Sequence, residues 1–213
     1  MKAKSLKYLL LLSPLLLLLG YSRIGEKTTS ISIIYAVTAF LALLLLIGYT
    51  LLIKRKSTLF YLLFTSVFII NLGYLWLSVS TTLSSALWAN RLSYLGSVFL
   101  PISMMMIILN LSYQKIKTWV PYLLIGIAVV IFLVSASPGY LTIYYKEVTL
   151  KTVNGVSLLE KVYGPWHSIY LFYLIGCFTA MLAVIGRAIA KKKIETASHA
   201  VILIMSVFVN ICV

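Results

Sequence analysis

The sequence predicts an all-α integral membrane helix bundle, with six long transmembrane helices and a short N-terminal signal-like hydrophobic segment. Of its 213 residues, 62% are hydrophobic and 10% are charged, and the mean hydropathy is +1.06. Soluble domains are about half apolar and a quarter charged. Clusters of Lys and Arg also separate successive apolar runs. Together these observations exclude a soluble fold.

Five apolar runs are long enough to cross the hydrocarbon core, which takes roughly 20 helical residues. These runs are 31–53, 58–79, 93–112, 119–137 and 166–190. A sixth run begins near Ala197 and continues to Val213. We therefore expect one multi-pass membrane domain over residues 31–213.

Residues 1–30 are predicted to be a signal-like or short anchor segment. The apolar run 8–20 is short, contains Pro14 and follows a lysine-rich start at 1–7. A basic start, a short apolar stretch and small residues near Gly20 are typical of a signal peptide. A short uncleaved helix is the alternative interpretation, and the sequence leaves both open.

The basic residues predict an orientation in the membrane. Twelve of the 18 Lys and Arg residues lie at the N-terminus or in every second loop, and cytoplasmic loops carry an excess of these residues. We expect 54–57, 113–118 and 191–196 to be cytoplasmic and 138–165 to be extracytoplasmic, in an inner or plasma membrane. In this orientation the basic residues behind the net charge of +14 face lipid head groups. The expected partner is therefore the lipid bilayer and not nucleic acid.

The loop 138–165 is the only long connection, and it is predicted to contain a small β-hairpin. Residues 141–150 are rich in Thr, Tyr, Val and Ile, and apolar residues resume at 156–162. Asn154 and Gly155 lie between these two stretches. Asn-Gly favours the left-handed turn of a two-residue hairpin.

Polar and aromatic side chains near the outer ends of the predicted helices are the candidate ligand-binding residues, because polar groups are costly in a membrane. The set is Asn71, Tyr74, Trp88, Arg91, Tyr94, Trp166, His167, Tyr170 and Tyr173. In one interpretation they are interfacial belt and helix-packing residues. In the other they line a small-molecule pocket, in which Arg91 pairs with an anion or a ligand carboxylate.

No residue pattern indicates catalysis, a cofactor or a metal site. The chain has no Asp, and no Ser, His and acidic residue occur in a catalytic arrangement. Both cysteines, Cys177 and Cys212, lie inside apolar runs. We therefore expect that this chain is not an enzyme and binds no metal or cofactor.

Two short motifs resemble the N-terminal seven-transmembrane sensor domain of bacterial sensor histidine kinases, which also occurs on diguanylate cyclases. The first comprises Trp88, Arg91, Leu92, Tyr94, Leu95, Gly96 and Pro101; the second comprises Tyr163, Gly164, Pro165 and Trp166. Both are similar to motifs of that family at its third and fifth helices. The resemblance covers about 31–213.

The resemblance implies a membrane input module of a two-component or cyclase signalling protein. Such a module would detect a ligand or a membrane condition from the outer side and relay it by helix repacking to a cytoplasmic effector. It also implies that 31–213 stops before the last sensor helix, and that a kinase parent would be a homodimer. A transporter or channel subunit, or an accessory membrane scaffold protein, is the alternative.

Overall fold

The computed structural model describes residues 30–111 and 117–190, and it is mostly helical. The elements are α1 (Ser30–Leu52), α2 (Thr58–Ser78), α3 (Leu83–Leu111), α4 (Trp119–Ser135), β1 (Tyr145–Val153), β2 (Val156–Tyr163) and α5 (Ser168–Ala190). Four of the helices are long and apolar enough to cross a membrane, and α4, with 17 residues, is shorter. The chain is therefore a multi-pass membrane protein.

The prediction of six long transmembrane helices is not confirmed, because the described residues contain five helices. The predicted runs 8–20 and 197–213 lie outside the described residues. The run 119–137 was predicted too long, since α4 ends at Ser135. Pro138 follows closely, and the residue before a proline is disfavoured in the helical region.

Helix α3 begins ten residues before the predicted start at 93. Its first turns contain the buried residues Ala86, Ala89 and Asn90, so burial by neighbouring elements stabilises a helical stretch that hydropathy alone does not mark. Helix α5 begins at Ser168, two residues later than predicted. Trp166 instead lies in a turn, where its backbone N–H donates to the carbonyl of Ile143 at 3.0 Å.

Helices α2 and α3 pack closely through two glycines. A Cβ atom on Gly73 would lie 2.6 Å from the backbone nitrogen of Ser93. A Cβ atom on Gly96 would lie 2.5 Å from the carbonyl oxygen of Ser66. Small residues allow such close approach of membrane helices, so neither position has room for a larger side chain.

Helix α3 also packs against α4 and α5 through two apolar clusters. One joins Val98 and Ile102 of α3 to Ala128 and Ile131 of α4. The other joins Met104, Met105 and Ile108 of α3 to Cys177, Met181 and Ile185 of α5. Consequently α3 is the central helix of the described bundle.

Pro101 lies inside α3 and leaves a backbone carbonyl without its usual partner. Proline has no N–H, so the carbonyl of Ser97, four residues earlier, receives no intrahelical bond from position 101. The hydroxyl of Tyr170 on α5 donates to this Ser97 oxygen at 3.4 Å. Tyr173 donates to the next carbonyl, that of Val98, at 2.6 Å.

Strands β1 and β2 form the predicted antiparallel hairpin, with Val153 paired to Val156. Asn154 and Gly155 between them have φ angles of 51° and 78°, as a two-residue turn with two left-handed positions requires. The hydroxyl of Ser157 donates to the carbonyl of Ser80 at 2.6 Å. This bond attaches the hairpin to the α2–α3 connection; we call this end of the bundle the hairpin end.

Candidate functional site

Tyr94 of α3 joins the base of the hairpin to α5. Its hydroxyl lies 2.8 Å from that of Tyr145, and it accepts a hydrogen bond from the hydroxyl of Tyr144 at 3.1 Å. Its ring meets that of Tyr170 edge to face, with centroids 5.3 Å apart. One side chain therefore contacts three tyrosines from two other segments of the chain.

The group extends to the turn that precedes α5. The imidazole of His167 stacks on the ring of Tyr163 at 3.8 Å and lies 5.3 Å from the ring of Tyr144. We call the whole set the tyrosine cluster: Tyr94, Tyr144, Tyr145, Tyr163, His167 and Tyr170. Stacked and edge-to-face rings each contribute about 0.5–1.5 kcal/mol beyond burial, so the cluster holds the hairpin firmly on α3 and α5.

The tyrosines at the hairpin base are neutral hydrogen-bonding groups. Burial, and after it the neighbouring Tyr94, raises the pKa of Tyr144 and of Tyr145 well above the ordinary value of 10.0. A neutral phenol can donate and accept, so the Tyr94 hydroxyl accepts from Tyr144 and shares a second hydrogen bond with Tyr145. A polar ligand that competes for one of these three hydroxyls would disturb the other two.

Lys161 of β2 is the one basic side chain in contact with the tyrosine cluster among the described residues. Its Nζ lies 3.4 Å from Oδ1 of the buried Asn90 and 5.1 Å from the ring centroid of Tyr145. Burial lowers the pKa of this amine. Glu160 pairs instead with Lys151, at 3.8 Å. Lys161 therefore has an amide and an aromatic face as partners, without a carboxylate.

Arg91 holds the chain that follows α4. Its Nε donates to the carbonyl of Ala136 at 3.0 Å, and its Nη2 donates to the carbonyl of Pro138 at 2.7 Å. The guanidinium lies between the rings of Trp88 and Tyr140, at 4.6 and 4.4 Å from their centroids. Such stacking stabilises a cation by about 0.5–2 kcal/mol, so Arg91 fixes the position of the α4–β1 loop.

A cavity of about 230 Å³ lies beside the hairpin. Its walls are Leu83 and Leu87 of α3, residues 139–142 of the loop, and Tyr145, Lys146 and Val148 of β1. The walls combine apolar side chains with one amine and one phenol, which suits a small, partly polar molecule. Tyr145 belongs both to this cavity and to the tyrosine cluster.

Three of the nine sequence-predicted site residues belong to the tyrosine cluster, namely Tyr94, His167 and Tyr170. Trp88 and Arg91 lie at the α4–β1 loop, and Tyr173 lies one turn beyond Tyr170 on α5. The remaining three are Asn71, which donates to the carbonyl of Val67 in its own helix at 2.8 Å, Tyr74, which stacks on Tyr35 at 5.5 Å, and Trp166, which is exposed. Ligand binding by these residues stays a prediction.

Sequence reasoning missed Tyr144, Tyr145 and Lys161. Adjacent residues of a regular strand point to opposite faces, so two consecutive buried tyrosines were not expected. Tyr144 lies outside β1, which begins at Tyr145, so the alternation of a strand does not apply to this pair, and both rings are buried. The Tyr-Tyr pair at the strand start was the available signal.

Within residues 30–111 and 117–190, no group of three or more His, Cys, Asp or Glu side chains lies close enough to hold a metal ion. The arrangement at the hairpin end is one of phenols, an imidazole, an amine and a guanidinium. These groups bind and orient molecules through hydrogen bonds and ring contacts.

The fold and this aromatic end define a multi-pass membrane protein with a structured loop domain at one end. The model of the family described as the N-terminal 7TM region of histidine kinase matches residues 31–213. The chain belongs to this family. No curated protein and no solved structure matched the chain.

Proposed function

We propose that this chain is a sensor module that detects a small molecule at the hairpin end and relays binding by repacking of α3 and α5. The observation that carries this proposal is the position of Tyr145. Its ring lines the cavity beside the hairpin, and its hydroxyl lies 2.8 Å from that of Tyr94 on α3. A molecule that displaces Tyr145 therefore acts on a spanning helix.

The ligand class follows from the cavity. At about 230 Å³ it is smaller than typical drug-sized sites, which begin near 300 Å³. Lys146 supplies a positive charge, and Leu83, Leu87 and Val148 supply apolar contacts. A small organic anion with an apolar part fits these walls.

The relay would run through Tyr94, which connects Tyr145 in the cavity wall to Tyr170 on α5. The Tyr94 ring meets Tyr170 on α5, and the Tyr170 hydroxyl bonds the Ser97 carbonyl that Pro101 leaves free. Helices commonly kink at a proline. A shift of Tyr94 would therefore change how α5 packs on α3. A ligand shifts the equilibrium between two packings of α5 on α3 only to the extent that it binds one packing more tightly than the other.

The hairpin end would face the extracytoplasmic side, as the basic loops predict. The effector would be a histidine kinase or diguanylate cyclase on the cytoplasmic side, in a homodimeric parent protein. The transporter alternative needs polar residues along a path through the bundle. The two clusters on α3 are instead built from Val, Ile, Met, Ala and one Cys, which favours the sensor.

Hydrogen exchange on the chain in lipid nanodiscs tests the binding and relay steps. Small carboxylates and phosphates would first be screened for a rise in melting temperature. A hit should protect 139–148 from exchange and should change exchange in the first turns of α5. Tyr94→Phe should keep the protection of 139–148 and lose the change in α5. The substitution leaves the cavity walls intact and removes only the hydroxyl that contacts Tyr145.

Tyr122→Phe is the matched control, since Tyr122 is 76% exposed and lies on α4. It should preserve both effects. An α5 response that persists in Tyr94→Phe would disprove the relay, and hits that protect other segments would disprove the cavity. The complete gene and its neighbours test the effector; we expect a phospho-acceptor histidine or a cyclase motif encoded there, and the lack of both would contradict the proposal.

A further inference from the structure

An apolar groove lies between α1, α2 and α3, in the half of these helices that is distant from the hairpin. Its volume is about 340 Å³, and every side chain that lines it is hydrophobic. Leu45 of α1, Phe60 and Phe64 of α2, and Leu100 and Leu111 of α3 mark its extent. Such a surface within a membrane-spanning bundle is suited to a hydrocarbon chain.

The groove ends beside three consecutive basic residues. Lys54, Arg55 and Lys56 connect α1 to α2, and their side chains are exposed. Phe60, which lines the groove, is the third residue of α2 and follows Lys56 by four positions. Within the described ranges, the one salt bridge joins Lys151 to Glu160 in the hairpin, so the three basic residues have no acidic partner there.

Tyr49 fixes this basic loop relative to the groove. Its hydroxyl accepts a hydrogen bond from the backbone N–H of Ser57 at 2.7 Å. Its ring lies 5.8 Å from that of Phe60 and 5.4 Å from that of Phe64, and both of these phenylalanines line the groove. The charged loop and the apolar walls thus belong to one ordered corner.

We infer that the groove and the loop together bind one anionic phospholipid. An acyl chain would lie in the groove, and the phosphate would meet Lys54, Arg55 and Lys56. Basic clusters next to spanning helices attract anionic head groups by about 1 kcal/mol per residue.

Native mass spectrometry of the full chain, released from detergent, tests this inference. The probes are dioleoyl-phosphatidylglycerol and dioleoyl-phosphatidylcholine, which share acyl chains and differ in head-group charge. We expect the first lipid to be retained between about tenfold and a hundredfold more than the second, since three basic contacts at full strength would give about a hundredfold. The variant Lys54→Gln/Arg55→Gln/Lys56→Gln should lose this preference.

A second triple variant removes the same charge elsewhere. Lys117→Gln/Lys151→Gln/Arg187→Gln alters exposed positions that do not line the groove, and it should keep the preference for phosphatidylglycerol. Leu45→Trp fills the groove from α1, where Leu45 is 56% exposed, and should reduce retention of phosphatidylglycerol severalfold. Leu111→Trp fills the groove from α3 instead. It replaces Leu45→Trp in the test if circular dichroism shows that Leu45→Trp is not folded.

Three results would overturn the inference. Equal retention of both lipids by the natural sequence would mean that the head group is not recognised. An equal loss in the two triple variants would mean that only net charge matters. Undiminished lipid retention in a folded groove-filling variant would mean that the acyl chain lies elsewhere.

Discussion

Tyr170 on α5 donates its hydroxyl to the carbonyl oxygen of Ser97 on α3 at 3.4 Å. Ser97 is the residue four positions before Pro101, so its carbonyl is the one that loses an intrahelical partner to the proline. Membrane lipid offers no substitute donor, and an unsatisfied backbone group there is costly. The side chain of one helix thus completes the hydrogen bonding of another.

We predict that the effect of Tyr170→Phe depends on Pro101. In the natural sequence the substitution should lower the free energy of unfolding by about 0.5–1.5 kcal/mol. In a Pro101→Ala background the cost should be smaller, because the alanine N–H can bond the Ser97 carbonyl. Unfolding titrations in mixed micelles would complete this double-mutant cycle.

Tyr173→Phe is the control for that cycle. Tyr173 bonds the Val98 carbonyl at 2.6 Å, and residue 102, four positions later, is an isoleucine that has its own N–H. Tyr173→Phe should lower the free energy of unfolding by the same amount in the natural sequence and in the Pro101→Ala background. A cost of Tyr170→Phe that is independent of Pro101 would contradict the proposed complementation.

Arg91→Lys should release the α4–β1 loop. Lysine keeps the charge but lacks the planar fork that bonds the carbonyls of Ala136 and Pro138. We expect a loss of about 1.5–3 kcal/mol in stability and faster hydrogen exchange over 136–142. Lys151→Gln, which breaks an exposed ion pair, should change stability by less than about 1 kcal/mol. Similar effects of the two substitutions would argue against the clamp.

Gly73→Ala and Gly96→Ala should each destabilise the α2–α3 contact, by about 1–3 kcal/mol, because the added Cβ meets backbone atoms. Gly126→Ala is the matched substitution, since nothing lies within 4 Å of its Cβ position. It should be neutral or slightly stabilising. Thermal unfolding in nanodiscs distinguishes them, and equal melting temperatures for all three variants would rule out the close approach.

Acidification should loosen the junction between β2 and α5. Burial, and then the charge of Lys161, lowers the pKa of His167 below its ordinary value of 6.5. The unfolded segment therefore binds more protons than the folded one as the pH falls through 6.5, so stability is full above that pH and is lost below it. Because His167 is partly exposed, we expect the protection factors over 160–168, which correct for the slower intrinsic exchange at low pH, to be roughly a few-fold smaller at pH 5 than at pH 7.5.

His167→Phe should remove this pH dependence while keeping a ring beside Tyr163. The other groups that face the imidazole are Lys161, Tyr144 and Tyr145. Lys161→Gln should weaken the dependence without removing it, since burial is the larger cause. If the phenylalanine variant still responds to pH, another group is responsible.

Local chemistry explains what the sequence could predict of the fold. Asn154 and Gly155 specify their turn by their own tolerance of positive φ, and the spans follow from apolar composition. The start of α3 at Leu83 could not be predicted in this way. Its first turns are stabilised by burial of Ala86, Ala89 and Asn90, which depends on parts of the chain far away in sequence.

The candidate site was less predictable, because its contacts are long-range. Arg91 was singled out from the sequence as a candidate anion-binding residue, but its carbonyl partners lie 45 and 47 residues away, and nothing near Arg91 indicates them. Tyr144 and Tyr145 become part of the site at an irregular entry into β1, just before the register shift between Tyr145 and Glu147. Such irregularity results from tertiary packing and leaves little trace in a hydrophobic pattern.

Pro101 also divides α3 into two arms of unequal length. From Leu83 to Pro101 the helix rises about 27 Å, and from Pro101 to Leu111 about 15 Å, at 1.5 Å per residue. A change in bend angle at the proline would move the hairpin-end tip nearly twice as far as the opposite tip. Displacements at the hairpin would thus reach the far side of the membrane reduced in amplitude, and a partner there would have to respond to shifts of about half their original size.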